Sequence, residues 1–159
     1  MMYDIQEVCD DKLAFAANLT TGNSPVLSTK SVDQFPAGTD ALGNVVFKDP
    51  GAGRPIDAYV EINTTALASG GAATLQVELI MADDAALSSN VVSLLQSAAI
   101  AKASLVAGYR FRLGRVPNGA TKRYLGFRYT IATNDFTAGA LTAALVPSEA
   151  AQSGVADPV

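Results

Sequence analysis

The chain has 159 residues, of which 16% are charged and 49% hydrophobic, with a formal net charge of −4; that length supports one good core and is short for two domains. It has no histidine and a single cysteine, Cys9, which excludes Ser-His-Asp and Cys-His catalysis, histidine-bearing zinc sites and an intrachain disulfide. The mean hydropathy of +0.23 comes largely from dispersed alanine; no apolar run reaches the roughly 18 to 20 residues of a spanning helix, so no membrane partner is expected.

The charges are unevenly placed. Residues 1–100 hold twelve acids against four bases, and residues 101–159 hold seven bases against three acids. Such polarity steers docking to a complementary surface or to another copy of the chain. The acidic total speaks against general nucleic-acid binding.

In chain order, residues 1–12, MMYDIQEVCDDK, read as an N-terminal arm. Acids stand where a secretory signal would carry lysines and a long apolar block, so no export signal is expected. Tyr3, Ile5 and Val8 are the arm's anchoring side chains, and termini of this kind order when a partner ties them down. Cys9 is expected to be an ordinary thiol in that arm. Residues 13–147 form the domain. Strands at Leu13–Leu19 and Val26–Val32, separated by Thr21-Gly22-Asn23-Ser24-Pro25, are expected to pair as a hairpin.

Residues 35–55 contain three prolines and four glycines and read as a long loop with a brief strand at Val45–Phe47, because proline and glycine at this density interrupt a ladder. A loop of that length in a compact domain is often functional; it either contacts a partner or is a solvated connection. Next, Ile56–Ile62 and Thr74–Met81 alternate with period two. Ile56, Ala58, Val60 and Ile62 point inward in the first, and Leu75, Val77, Leu79 and Met81 in the second. Asp83-Asp84 lacks the alternating ligand spacing of a calcium loop and reads as a turn or a helix cap. Short strands joined by a turn are expected at Val91–Leu95 and Ala98–Ala103.

A strand at Tyr109–Leu113 sets Tyr109, Phe111 and Leu113 inward and Arg110 and Arg112 outward. The stretch from Ala120 to Val146 reads as a β-hairpin. Leu125, Phe127, Tyr129 and Ile131 line one face of its first arm, Leu141, Ala143 and Leu145 line its second, and Asn134, Asp135 and Gly139 supply turn chemistry. Residues 148–159 have the composition of a flexible tail. About eight strands, no long helix and closely spaced turns imply an all-β fold, an antiparallel β-sandwich or barrel, for which the two-sheet jelly roll is a natural solution.

One constellation stands out. Arg110, Arg112, Arg115, Lys122, Arg123 and Arg128 fall within nineteen residues, and Arg110, Arg112 and Arg128 would share one sheet face if their strands were neighbours. Arginine forks bind carboxylates and phosphates bidentately. The cluster is either an anion-facing docking surface or a solvated face neutralised by the chain's own Asp57, Glu61 and Glu78. The aromatics Tyr109, Phe111, Phe127 and Tyr129 share the parity of the aliphatic core, leaving Tyr124 as the outward exception. There is no phosphate-cradling loop, nucleophile elbow or zinc-ligand spacing, and an enzyme is not expected.

Four stretches follow in order: GGAATLQVELIMADDAALSS, then SAAI with SLVAGYRF, then PNGATKRYLGFRYTI, and FTAGALTAALV. Over about Gly70 to Val146, and more loosely back to Lys12, this ordered set resembles the jelly-roll capsid cement (decoration) proteins of tailed bacteriophages. The resemblance implies a virion protein made in the host cytoplasm and placed on the outer surface of the capsid. There it would rivet neighbouring major capsid protein subunits, as a homo-oligomer (dimer or trimer) at a local symmetry axis, with no cofactor, metal or catalytic group. The arm and the 35–55 loop depart from the shorter family pattern, and such extra segments are where contact surfaces diverge. Partner-binding candidates are therefore Tyr3, Ile5 and Val8 in the arm, Phe47 and Arg54 in the loop, and Arg110, Arg112, Lys122, Arg123 and Arg128 on the basic edge. The alternative is a carbohydrate-binding β-sandwich acting in host-surface attachment; it would need exposed aromatics on a concave face, and this chain has no tryptophan.

Overall fold

A computed structural model describes residues 8–34, 36–47, 56–118 and 121–147. The strands are β1 (Val8–Ala14), β2 (Val26–Leu27), β3 (Val32–Asp33), β4 (Pro36–Thr39), β5 (Val45–Phe47), β6 (Ile56–Ala68), β7 (Thr74–Ala82), β8 (Val92–Gln96), β9 (Ile100–Ala101), β10 (Arg110–Arg115), β11 (Tyr124–Ala132) and β12 (Phe136–Pro147). One sheet runs β1-β12-β6-β10. The other runs β2-β11-β7-β8, with β3 also on β11 and β9 also on β7, and β4-β5 form a small ladder of their own. Every pairing is antiparallel. Because β2 with β3 and β8 with β9 each fill one position, each sheet has four positions, and between these positions the chain crosses from sheet to sheet at every step but β7 to β8, as in a jelly roll.

That alternation corrects the expected hairpins. β11 and β12 have the anticipated inward residues, but β11 pairs with β7 and β12 pairs with β6 and β1. The Ala120–Val146 stretch is thus an arch between sheets. The arch brings the two apolar sets face to face, so that Phe127 and Tyr129 from one sheet pack on the same core as Leu141 and Leu145 from the other. β6 and β7 are likewise in opposite sheets.

The N-terminal reading also changes. Tyr3 and Ile5 lie outside the described residues, but Val8–Lys12 are not an arm, because they belong to β1, which pairs with β12 from Val8↔Ala144 to Ala14↔Ala140. Cys9 and Leu13 are buried in the core. The expected strand at Leu13–Leu19 ends at Ala14, and one helical turn, α1 (Phe15–Asn18), follows. This turn lowers Phe15 and Leu19 into the core, with Phe15 edge-on to Phe136 at 5.3 Å. No hairpin joins it to the next segment: β2 and β3 pair with β11. Within residues 35–55, Val45–Phe47 is a strand as expected, and Pro36–Thr39 is a second one that the proline obscured.

The outer face of the six-stranded sheet is not wholly solvated. Ile80 and Ala82, on the outward parity of β7, are buried with Leu87 from the 83–91 turn. Gly126 makes room for this, since a Cβ there would stand 2.2 Å from Leu87 Cδ1. Residues 92–96 and 100–101 form the short strands anticipated, after which Lys102–Ser104 make a 3-10 turn.

Candidate functional site

The basic cluster does not form one face. Arg110 and Arg112 project from β10 in the four-stranded sheet, and Arg128 projects from β11 in the six-stranded sheet. Each meets an acid supplied by the neighbouring strand. Arg110 reaches Glu61 at 3.0 Å, and Arg112 reaches Asp57 at 3.1 Å. Arg128, directly opposite Glu78 in register, donates Nε to Glu78 Oε2 at 2.6 Å, while Gln96 Nε2 donates to the other oxygen at 2.7 Å. Arg123 grips Asp33 with two bonds of 2.8 Å and lies 5.1 Å from the centre of the Tyr124 ring. Lys122 bonds Asp83 at 2.8 Å. Arg115 is exposed at the end of β10.

The polarity along the sequence is therefore folded inward: five acids from the first hundred residues meet five bases from the last fifty-nine. This is the self-neutralised arrangement with Asp57, Glu61 and Glu78 that the sequence allowed. Asp57 and Glu78 are buried and depend on these partners.

Asp83-Asp84 is a turn. Asp84 accepts from the backbone of Ser88 and Ser89 at 2.9 and 2.7 Å and from the Ser88 hydroxyl at 2.7 Å, and these bonds hold its carboxyl below the ordinary 3.8. Among the described residues no three potential ligands gather to hold a metal. Phe127 and Tyr129 are fully buried, Tyr109 and Phe111 are half-buried and lean on each other at 5.7 Å, and Tyr124 packs beside Ile80, Ala82 and Leu87. Tyr124 is not the exposed platform that its parity allowed.

Outside the sandwich ladders stands the β4–β5 hairpin. Among the described residues it pairs only with itself, Pro36↔Phe47 to Thr39↔Val45, and Gly38–Asn44 are all exposed. Its tip is nonetheless organised. Asp40 Oδ1 accepts from the backbone N–H groups of Leu42 and Asn44 at 2.8 Å each, Oδ2 accepts from Asn44 Nδ2 at 3.0 Å, and the backbone N–H of Gly43 donates to the Asp40 carbonyl at 3.0 Å. Gly43 takes φ +83, a conformation that side chains disfavour. The result presents Leu42 at 87% exposure, the highest among the exposed large hydrophobic residues described.

The expected partner-binding residues thus fall into three groups. Tyr3, Ile5 and Arg54 lie outside the described residues, and Phe47 contributes backbone to β5. Val8 is a structural strand residue packed with Tyr59, Ala144 and Val146. The five basic residues hold intramolecular pairs. Leu42 was missed, although Asp40-Ala41-Leu42-Gly43-Asn44 carries turn residues at the spacing that would have placed it at a tip.

A jelly-roll sandwich with self-paired charges and a small hairpin outside both sheets describes the class of molecule. The chain belongs to the Bbp16 family, whose model matches residues 16–145. No curated protein matches the sequence.

Proposed function

We propose that this chain is a capsid cement protein of a tailed bacteriophage, binding the outside of the head and stabilising contacts between major capsid protein subunits. The ordered stretches from Gly70 to Val146 that resemble such proteins support this reading, as does a fold whose catalytic residue types are sparse and mutually paired. The observation that carries it is the β4–β5 hairpin, a hydrogen-bonded turn outside both sheets that holds an apolar side chain in water, which suits docking by insertion of a knob. Many copies binding only the assembled lattice stabilise it by mass action.

Co-sedimentation of the purified protein with undecorated heads tests the reading. The wild type is expected to pellet with heads, and Leu42→Asp is expected to stay in the supernatant with an unchanged melting temperature. Absence of wild-type binding would overturn the assignment, and full binding by Leu42→Asp would remove the hairpin from it. Binding through residues 1–12 as a free arm does not fit β1, which begins at Val8; deleting residues 1–11 removes most of that strand and is expected to unfold the protein as well as unbind it.

A further inference from the structure

The four-stranded sheet turns one face to the core, and the opposite face of such a sheet is ordinarily met by water. On β6 and β12 that outward set includes Asp57, Tyr59, Ala144 and Val146, since their neighbours Ala58, Val60, Ala143 and Leu145 belong to the core. All four are nonetheless buried: Tyr59 is 8% exposed, Val146 2%, and Ala144 and Asp57 1% each. Among the described residues the one further apolar side chain packed on this cluster is Val8, at the start of β1. Asp57 adds a polar deficit. Arg112 takes its Oδ2 at 3.1 Å, whereas its buried Oδ1 has no hydrogen-bond partner among the described residues.

An apolar cluster beside a carboxylate oxygen that lacks a donor calls for a cover bringing both apolar side chains and N–H groups. We propose that residues 1–7, MMYDIQE, are that cover, a strap that folds back from Val8 across the outer face of the four-stranded sheet. Its backbone N–H groups and the Gln6 amide are the donors offered to Asp57 Oδ1. Tyr3 and Ile5, which the sequence offered to a partner, then anchor the strap to the chain's own sheet.

Position, composition and charge select this segment. It joins the face at Val8, itself a member of the cluster. The cluster crosses β1, β12 and β6, two strand spacings or about 10 Å, and seven extended residues reach about 23 Å. The segment holds Met1, Met2, Tyr3 and Ile5. Residues 48–55, KDPGAGRP, lead into β6 but hold no large apolar side chain, and residues 148–159, which follow β12, hold none before Val155. Arg110 and Arg112, both partly exposed, border Tyr59 and Asp57 on this face. Their positive field suits Asp4 and Glu7 of the strap and opposes Lys48 and Arg54 of the 48–55 segment.

The test uses the protein free of heads, so it is independent of the capsid reading. Cys9 is buried and supplies the background. Ala144→Cys in the full chain is expected to react with a thiol dye as slowly as the wild type does. In a chain lacking residues 1–7, which keeps all of β1, Ala144→Cys is expected to react at least about tenfold faster, while Cys9 stays slow in the truncated chain with Ala144 intact. Tyr3→Asp combined with Ile5→Asp keeps the full length and is expected to unmask Ala144→Cys in the same way, with unchanged circular dichroism. Fast labelling of Ala144→Cys in the full chain would overturn the proposal, as would labelling that stays slow in both the truncated and the double-aspartate chains. Fast labelling of Cys9 in the truncated chain would overturn it too, because residues 1–7 would then be securing β1 instead of covering the sheet.

Discussion

Tyr129 on β11 donates its hydroxyl to Asp10 Oδ2 on β1 across 2.6 Å, joining the two sheets through residues 119 positions apart. Asp10 Oδ1 accepts the backbone N–H and the hydroxyl of Thr29, each at 2.8 Å. A carboxylate 1% exposed is thereby supplied with three donors. Removing one leaves the others intact but the acceptor undersupplied, so Tyr129→Phe is expected to cost about 1–3 kcal/mol in chemical denaturation. A loss within experimental error would show that the bond contributes little.

The same carboxyl gives stability a pH dependence of a definite sign. Burial raises Asp10 above the ordinary 3.8, against the opposing pull of Tyr129, Thr29 and the nearby Lys30. A folded-state value above the unfolded one means that the folded protein holds the proton more tightly. This contribution is therefore fully present below 3.8 and is lost as pH rises through the folded value. The surface carboxyls Asp40, Asp83, Asp84 and Asp135 are shifted the other way by their hydrogen bonds, but they are common to wild type and variant. The stability of wild type minus that of Asp10→Asn is accordingly expected to fall across the mildly acidic range just above 3.8; a difference independent of pH would contradict the shift.

Cys9, beside Asp10, reports on whether β1 can peel away. Its side chain is buried, and its thiol is pushed up to about 12, chiefly by burial and further by the Asp10 carboxylate, so neither access nor thiolate is available to a reagent. Labelling by a thiol-reactive dye is expected to be negligible in the native protein. In denaturant it should track global unfolding monitored by circular dichroism, because Asp10 couples the strand to the core. Fast labelling under native conditions would mean that β1 opens locally.

Strand residues were legible in the sequence where one face is core and the other water, as in the Leu125-Phe127-Tyr129-Ile131 alternation. The pairing of those strands was not, because period two marks which side is buried and not which neighbour covers it. A hairpin and an arch share turn residues such as Asn134 and Asp135, and only the need to place β11 opposite β12 decides between them. β1 was hidden because its acids read as solvated; Asp10 is satisfied by partners far along the chain. At the candidate site, Glu78, Glu61 and Asp57 were visible as possible neutralisers of the arginines, but the register that joins Arg128 to Glu78 is a tertiary fact. Leu42 carries no signal of its own in a loop sequence, because its exposure depends on the Asp40 bonds that order the turn.

The arginine pairs separate stability from binding. Arg112→Ala strips a donor from Asp57, which is 1% exposed and whose Oδ1 has no hydrogen-bond partner. Arg128→Ala leaves the 6%-exposed Glu78 with Gln96. Both are expected to destabilise by about 1–3 kcal/mol, since a buried carboxylate loses compensation. Arg110→Ala, facing a more open Glu61, is expected to cost less than about 1 kcal/mol. All three folded variants are expected to co-sediment with heads as the wild type does. A variant that keeps its stability but loses binding would show that its guanidinium serves a partner after all.

The hairpin tip makes the opposite prediction. Among the described residues Asp40 bonds only within its own turn, and its carboxyl is held low by Asn44, so it is ionised and accepting well below neutral pH. Asp40→Ala removes three acceptor contacts from an exposed loop and leaves both sheets untouched, so the melting temperature is expected to be unchanged. Leu42 would then sample more conformations, and ordering it on docking costs affinity. Binding to heads is therefore expected to weaken by about tenfold, while Asp40→Asn, which keeps one acceptor oxygen, falls between. Equal affinity for wild type and Asp40→Ala would show that the rigidity of the tip is not what the lattice reads.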